Sequence, residues 1–355
     1  MGIHNAILTI ELDFKAIAKR TVLSTLISGI VGVACAYCGF GMWALVIQTV
    51  LGQIFNMLFV WVYVKWLPKR TFSISSFKEL GTFGCKLLAS SLLHTIYTNL
   101  TTLVIGKKFS ANDLGYYNRG TQFATLPVGT MNSILGKVLY PILVNLQNDD
   151  ARLVSVYRKY ICVMSIPIFF CCTLLASVAK PMILLLLTEK WADAIIYLQV
   201  FSFAVMFNHV CSINLELLKV KGRSDLFLKL EVIKKIISIA ILFASIPFGV
   251  VGICISQIIY TQIAVFINTY YTGKMFHLGY KEQMKDFFGY LVMSIISCVP
   301  GYLIATYIDL PHIVSLLVCT IIGCGLYVFF LRKDQYACEM YTLVSAKFSF
   351  LPRLK

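Results

Sequence analysis

The stretch TVLSTLISGIVGVACAYCGFGMWALVIQTVLGQIFNMLFVWVYV, residues 21–64, lies between Arg20 and Lys65 and carries no charged side chain. Two apolar runs, Thr21–Cys38 and Met42–Trp66, flank the tight connection Gly39-Phe40-Gly41. Each is roughly 20 residues long, enough for a helix to cross about 30 Å of hydrocarbon. A soluble core helix would interrupt such a run with a polar face about every four residues. The stretch therefore reads as a helical hairpin in a bilayer.

The rest of the chain repeats this pattern. Apolar runs bounded by Gly, Pro and charge predict about ten spans: the two above, then Phe83–Ile105, Thr121–Leu146, Tyr160–Ala179, Ile195–Leu218, Ile233–Phe248, Val250–Tyr271, Phe288–Ile308 and Ile313–Leu331. Pro181–Leu187 is too short to span and reads as a re-entrant or interfacial piece ahead of a Trp191 anchor. Composition agrees. Of 355 residues, 59% are hydrophobic and 13% charged, roughly half the charged share of a soluble domain. The expected class is an all-α polytopic membrane protein.

A net charge of +15 would suggest nucleic acid in a soluble protein. Here the basic residues are spread over short loops, so no nucleic-acid partner is expected and the excess marks one side of the membrane. Lys15, Lys19 and Arg20 precede the first span; Lys65, Lys69, Arg70 and Lys78 follow the second, and Arg152, Arg158 and Lys159 the fourth. Lys219, Lys221, Arg223 and Lys229 follow the sixth, Lys274, Lys281 and Lys285 the eighth, and Arg332, Lys333, Lys347, Arg353 and Lys355 the tenth. The intervening connections hold Lys107, Lys108, Lys180 and Lys190. This alternation predicts an even number of spans with both termini in the cytoplasm.

Nearly all of the 12 cysteines fall inside apolar runs, where a thiol behaves as a small hydrophobe. Cys35-Ala36-Tyr37-Cys38 is formally a CxxC, but it lies within a span, without a second pair or a nearby His. No metal or redox role is expected there. The first twenty residues hold no apolar core, so no cleavable signal peptide is expected. There is no Walker loop, HExxH or GxSxG, and the aspartates lie mostly in loops without a paired acid. An enzyme, a bound cofactor and ATP-driven transport by this chain alone are therefore disfavoured.

A weak internal repeat is visible. Gly41-Met42-Trp43-Ala44-Leu45-Val46-Ile47-Gln48 with Gln53-Ile54 opens the second span, and Val250-Val251-Gly252-Ile253-Cys254-Ile255-Ser256-Gln257 with Gln262-Ile263 opens the eighth. The glutamines share one spacing, and each segment follows a Gly-containing turn. Hairpins six spans apart in the same orientation match the parallel repeats of transporters.

Ionisable residues inside spans are functional candidates because each is costly unless it faces a cavity or a partner. In the third span Lys86, Ser90, His94 and Thr98 recur every four residues and form one narrow stripe. The stripe reads either as a wall of a hydrated cavity or as a snorkelling Lys86 with interhelical hydrogen bonds from the others. In the fourth span Arg119 and Lys137 are a whole number of turns apart, so they share a face at about 27 Å separation. Thr130 and Ser133 lie on that face, Gln122 borders it, and Pro127 and Gly129 predict an interruption midway. Such a basic face would attract an anion, with Arg119 alternatively an interfacial anchor. Near the sixth and seventh spans, Lys234 is expected to pair with Glu231, leaving Lys235 to face a cavity. His209 and Asn214 read as interhelical hydrogen-bonding groups.

Several stretches together resemble one family: Ile10-Glu11-Leu12-Asp13-Phe14-Lys15-Ala16-Ile17-Ala18, Gly39–Val46, Ile105-Gly106-Lys107-Lys108-Phe109-Ser110, Leu114-Gly115-Tyr116-Tyr117-Asn118-Arg119-Gly120, Glu189-Lys190-Trp191 and Lys221-Gly222-Arg223-Ser224-Asp225-Leu226 with Leu228-Lys229-Leu230-Glu231. They resemble bacterial Wzx-type lipopolysaccharide and capsular polysaccharide flippases, the polysaccharide-exporter branch of the MATE-like MOP superfamily. One departure is Thr188, where that pattern usually has Gly before Glu-Lys-Trp. The resemblance implies a MATE-like fold of two six-helix lobes around a central cavity, usually with two extra C-terminal helices. It implies flipping of undecaprenyl-diphosphate-linked oligosaccharide across the bacterial inner membrane by alternating access. Membrane lipids and other polysaccharide-assembly membrane proteins are the implied partners. Inward-facing Arg119, Lys137, Lys86 and Lys235 would suit a diphosphate headgroup. Glu11-Leu12-Asp13-Phe14-Lys15 resembles the loop after the family's fourth helix, so the ten spans match helices five to fourteen and the first four helices lie outside this sequence.

The expected organisation is a remnant N-lobe over residues 1–80, a C-lobe over 81–272, and two further helices with a cytoplasmic tail over 273–355. Alternatives are a drug or cation antiporter of the same superfamily, an O-antigen polymerase, or a non-functional fragment. An antiporter wants acidic sites in its spans, whereas the deep charges here are mainly basic. A polymerase wants a large external loop, and the outer connections here are short.

Overall fold

A computed structural model describes residues 14–63 and 98–340, with residues 74, 92, 95 and 96 between them; the side chains of residues 14–17, 133–138, 140, 141 and 224 are outside the description. The chain divides into two compact units, Met1–Ala89 and Ser90–Lys355.

In the first unit α1 (Phe14–Tyr37) and α2 (Trp43–Tyr63) form the hairpin expected from residues 21–64. The turn needs glycine: Gly39 has φ 84° and Gly41 φ 52°, a region costly for residues with a Cβ. Along the helices, a Cβ at Gly32 would sit 2.8 Å from Gln48 Cβ, and one at Gly52 3.1 Å from Ser28 Oγ. Small residues thus let two apolar helices approach closely, as interfaces in lipid favour. Cys35 and Cys38 are free thiols.

The second unit continues with α3 (98–108), α4 (Ala111–Asn145), α5 (Asp150–Ser177), the short α6 (Ala179–Leu187), α7 (Ala194–Val205), α8 (Asn208–Val220), α9 (Ser224–Ser245), α10 (Gly249–Phe276), α11 (Tyr280–Tyr307) and α12 (His312–Leu331). No strand occurs among the described residues. Helices α7 and α8 together make the sixth expected span, broken at Met206-Phe207. Much of the third span lies outside the described residues. Among the described residues, seven segments are long and apolar enough to cross a membrane. One of them, Asp225–Phe276 at 52 residues, holds both α9 and α10. Between these two helices Pro247 sits in a 3-10 turn and Gly249 has φ 75°. Both repeat segments thus begin beside a glycine at positive φ, Gly41 and Gly249.

The core of this unit centres on α5. Phe169 packs edge-on against Phe207 at 5.4 Å and the His209 ring at 5.3 Å, with Phe287 5.8 Å away. His209 is fully buried. Its Nδ1 donates to the Met206 carbonyl at 2.8 Å, so in the neutral ring Nε2 accepts from the Ser165 hydroxyl, also at 2.8 Å. That is the interhelical bond expected for it. Asn214, Thr272 and Gln283, all fully buried, join α8, α10 and α11. Asn214 Nδ2 donates to Gln283 Oε1 at 2.9 Å, the Thr272 hydroxyl donates to Asn214 Oδ1 at 2.8 Å, and Gln283 Nε2 reaches the Leu278 carbonyl at 2.9 Å. Ion pairs Arg158–Asp286 and Lys159–Glu339 tie α5 to α11 and to the helical stretch 335–340. The Tyr327 hydroxyl donates to the Ile166 carbonyl at 2.8 Å beside Pro167.

After α6, Thr188 adopts φ 76° and ψ 171° ahead of the 3-10 turn Glu189–Trp191. That region is essentially reserved for glycine and costs a β-branched residue on the order of 1–3 kcal/mol. Thr188 thus strains the turn it opens. Thr188→Gly is expected to stabilise the protein by about 1 kcal/mol, net of the added freedom of an unfolded glycine. A thermal midpoint in detergent equal to or below wild type would contradict this.

Candidate functional site

Helix α4, at 35 residues, is long enough to span but is not among the seven apolar segments. The cause is its sequence, which carries Asn118, Arg119, Thr121, Gln122, Thr125, Thr130 and Asn132 through the middle. A capping box starts it. Ser110 Oγ accepts from the Asp113 amide at 3.1 Å, and the Ser110 amide donates to Asp113 Oδ2 at 3.2 Å. The helix runs unbroken through Pro127 and Gly129, where the sequence predicts an interruption. Proline removes one amide donor, a single rung of the ladder, and the other rungs hold the helix.

One face of α4 is buried, with Tyr117, Ala124 and Val128 below 7% exposure. Gly120 lies on this face, where an added Cβ would stand 2.8 Å from the Leu198 backbone nitrogen and 2.8 Å from Tyr197 Cβ. The other face exposes Arg119, Gln122 and Thr130. Arg119 Nη1 donates to Gln122 Oε1 at 3.0 Å, and its guanidinium lies 5.7 Å from the centre of the Trp191 ring. Arg119 and Gln122 are therefore brought together, with Trp191 as a cation–π partner not expected from the sequence. Thr130 bonds back to the Leu126 carbonyl at 2.9 Å. Lys137 and Ser133 belong to the same helix, but their side chains are outside the described residues, as are Lys86, Ser90 and His94 entirely.

Lys234 is buried and paired with Glu231 as expected. Lys235 is half-buried on the same helix, α9. Thr98 is exposed, donates to the Thr95 carbonyl at 3.0 Å, and borders a cavity of about 270 Å3. Around that cavity α3 supplies Thr98 and Thr101, α4 Tyr117, α9 Ser238, and α10 Gln257 and Tyr260. Its described lining mixes these hydroxyl and amide groups with the apolar side chains of Leu100, Phe201, Ile239 and Leu242, and holds no charged side chain. Such a wall offers donors and acceptors without a fixed charge, which suits sugar hydroxyls and water better than a phosphate. Two signals in the sequence pointed here: Thr98, the end of the polar stripe read as a cavity wall, and Gln257, one of the repeat glutamines.

The family model described as polysaccharide biosynthesis protein matches residues 1–196. The chain is similar to the lipopolysaccharide biosynthesis protein WzxC of Escherichia coli (strain K12), 28% identical over 273 residues, or 74% of this chain and 55% of that protein. It is also similar to the teichuronic acid biosynthesis protein TuaB of Bacillus subtilis (strain 168), 28% identical over 222 residues, 61% of this chain and 45% of the relative. The chain thus spans about half the length of these two relatives. Among solved structures, the lipid II flippase MurJ in an inward closed conformation matches 88% of this chain and 67% of its own, at 16% identity and a TM-score of 0.66. That likeness shows the fold. The all-α, multi-pass membrane architecture expected from the sequence holds, in a fold shared with that structure.

Proposed function

Because the chain belongs to the polysaccharide biosynthesis protein family, we propose that it takes part in flipping a lipid-linked oligosaccharide across the bacterial cytoplasmic membrane. The observation that carries this reading is α4. It is a bundle helix as long as a span yet too polar to count as one, bordered by a cavity whose hydroxyl and amide groups alternate with apolar side chains. A polar helix in a membrane bundle is stable where it faces a cavity or partner helices rather than acyl chains. In this reading the hydroxyl-lined cavity accommodates sugar, while the basic residues Arg119, Lys137, Lys86 and Lys235 meet the diphosphate of an undecaprenyl carrier. Ser90, His94, Thr98, Gln122, Thr130 and Ser133 complete the polar lining. The basic loops lie in the cytoplasm with both termini, following the charge asymmetry. Residues 1–80 act as part of an N-lobe, 81–272 as the C-lobe and 273–355 as two additional helices with a tail.

The test is translocation of a fluorescent undecaprenyl-diphosphate saccharide in proteoliposomes holding the full chain. Protein-dependent loss of quencher-accessible probe supports the reading; a rate equal to empty vesicles sinks it. Given such activity, Arg119→Ala and Lys137→Ala are each expected to slow flipping by about tenfold, the scale of one lost charge-assisted hydrogen bond. Wild-type rates in both variants would remove the basic face from the mechanism.

A further inference from the structure

At the end of the α1–α2 hairpin opposite the Gly39–Gly41 turn lies a cavity of about 610 Å3, lined by Lys19, Arg20, Leu23, Phe59 and Val62 among others. Arg20 is 5% exposed, and neither its Nε nor its Nη1 has a hydrogen-bond partner among the described residues. A guanidinium does not shed its proton in proteins, so this is a permanent charge withdrawn from water. A buried charge without counter-charge or hydrogen bonds is among the most unfavourable arrangements a protein can hold. The two helices cannot relieve it, since no Asp or Glu occurs between Phe14 and Tyr63.

The surroundings specify the missing partner further. Val22, Leu23 and Val62 stay 57%, 49% and 74% exposed beside the cavity, so whatever meets Arg20 also meets an apolar surface. Arg20 precedes the hairpin turn by five helical turns, about 27 Å, which sets it at headgroup depth if the turn lies at the opposite face. Lys19, exposed next to it, adds a second positive charge at the mouth.

We propose that this cavity binds the phosphate group of a lipid, with the Arg20 fork holding two phosphate oxygens and the chain lying along Leu23 and Val62. The site depends on the proposed function only for its leaflet, the cytoplasmic one. Its phosphate can come from a bilayer phospholipid or from an isoprenoid carrier, and the two are separable by experiment.

The full chain, purified in detergent, is titrated with phosphatidylglycerol, undecaprenyl phosphate and, as a phosphate-free control, diacylglycerol, with bound lipid read by native mass spectrometry. Wild type is expected to retain at least one phosphate lipid and not diacylglycerol, and the tighter of the two identifies the source. Arg20→Gln is expected to weaken that binding by at least tenfold, and Arg20→Lys, which keeps the charge and loses the fork, by several-fold. Failure of wild type to bind either phosphate lipid overturns the proposal, as does equal binding of diacylglycerol. Unchanged affinity in Arg20→Gln also overturns it; if that variant does not fold, unchanged affinity in Arg20→Lys does so. No transport is read, so a chain that binds without flipping contradicts the proposed function and leaves this site standing.

Discussion

Gly120→Val is expected to destabilise the second unit by about 3 kcal/mol, the upper end of what overpacking costs. The effect is large because the obstacle is main chain. A Cβ at 120 would meet the Leu198 nitrogen and the Tyr197 carbonyl carbon at 2.8 and 3.0 Å, so relief requires α4 and α7 to separate. Their separation would also disturb Tyr117, which packs on Phe201 at 6.1 Å and borders the polar cavity. The measurement is a thermal midpoint by size-exclusion in detergent, with Gly129→Val as control, since nothing lies within 4 Å of a Cβ there. A Gly120→Val midpoint no lower than that of Gly129→Val would refute the close packing of α4 on α7.

The second large effect is expected at Gln283. Replacing it with leucine strips partners from the Asn214 amide and the Leu278 carbonyl, both in a site with no solvent access. Asn214 keeps the Val210 carbonyl and Thr272, and the Leu278 carbonyl keeps Thr272, so one Asn214 N–H is left without an acceptor. A buried orphan costs about 1–3 kcal/mol, and a loss of about 2 kcal/mol is expected. The double variant Asn214→Leu with Gln283→Leu removes both ends of the shared bonds. It is expected to be less harmful than the sum of the single changes by about 1–2 kcal/mol, the coupling typical of groups in one network. Strict additivity would show that the two amides do not work as a pair.

The helices were legible because a bilayer demands long apolar runs, and such runs stand out in any sequence. Their ends were less so. Helices α5, α9 and α11 begin at Asp150, Ser224 and Tyr280, eight to ten residues before the apolar runs at Tyr160, Ile233 and Phe288. Hydropathy marks the part immersed in hydrocarbon, whereas backbone hydrogen bonding continues into the headgroup region, helped by caps such as Asp149 on the Arg152 amide. The Ser110-x-x-Asp113 box would have placed the start of α4 ten residues earlier than its apolar run. The break at Met206-Phe207 left no mark, since both residues are hydrophobic. Of the site, the shared face of α4 could be read from spacing, as could the Glu231–Lys234 pair. Arg20 could not, because sequence treats a basic residue at a span end as a topology marker, and its burial is a property of packing alone. The same holds for Gly120: the motif that contains it was visible, but the backbone it touches is 77 residues away.

The hydroxyls of α4 point to a division of labour between sliding and clamping. Thr121 and Thr125 donate to carbonyls of their own helix, at 2.9 Å in each case. Their polarity is therefore satisfied before any neighbour arrives, and a neighbour that leaves takes no hydrogen bond with it. Lipid, water and sugar can replace one another along such a surface at little enthalpic cost, as on a bearing race. The Asn214–Thr272–Gln283 triad is the opposite kind of contact, since its bonds run between helices and break if those helices shift. Under the proposed alternating access, α4 has the surface suited to slip, and the triad would keep α8, α10 and α11 together.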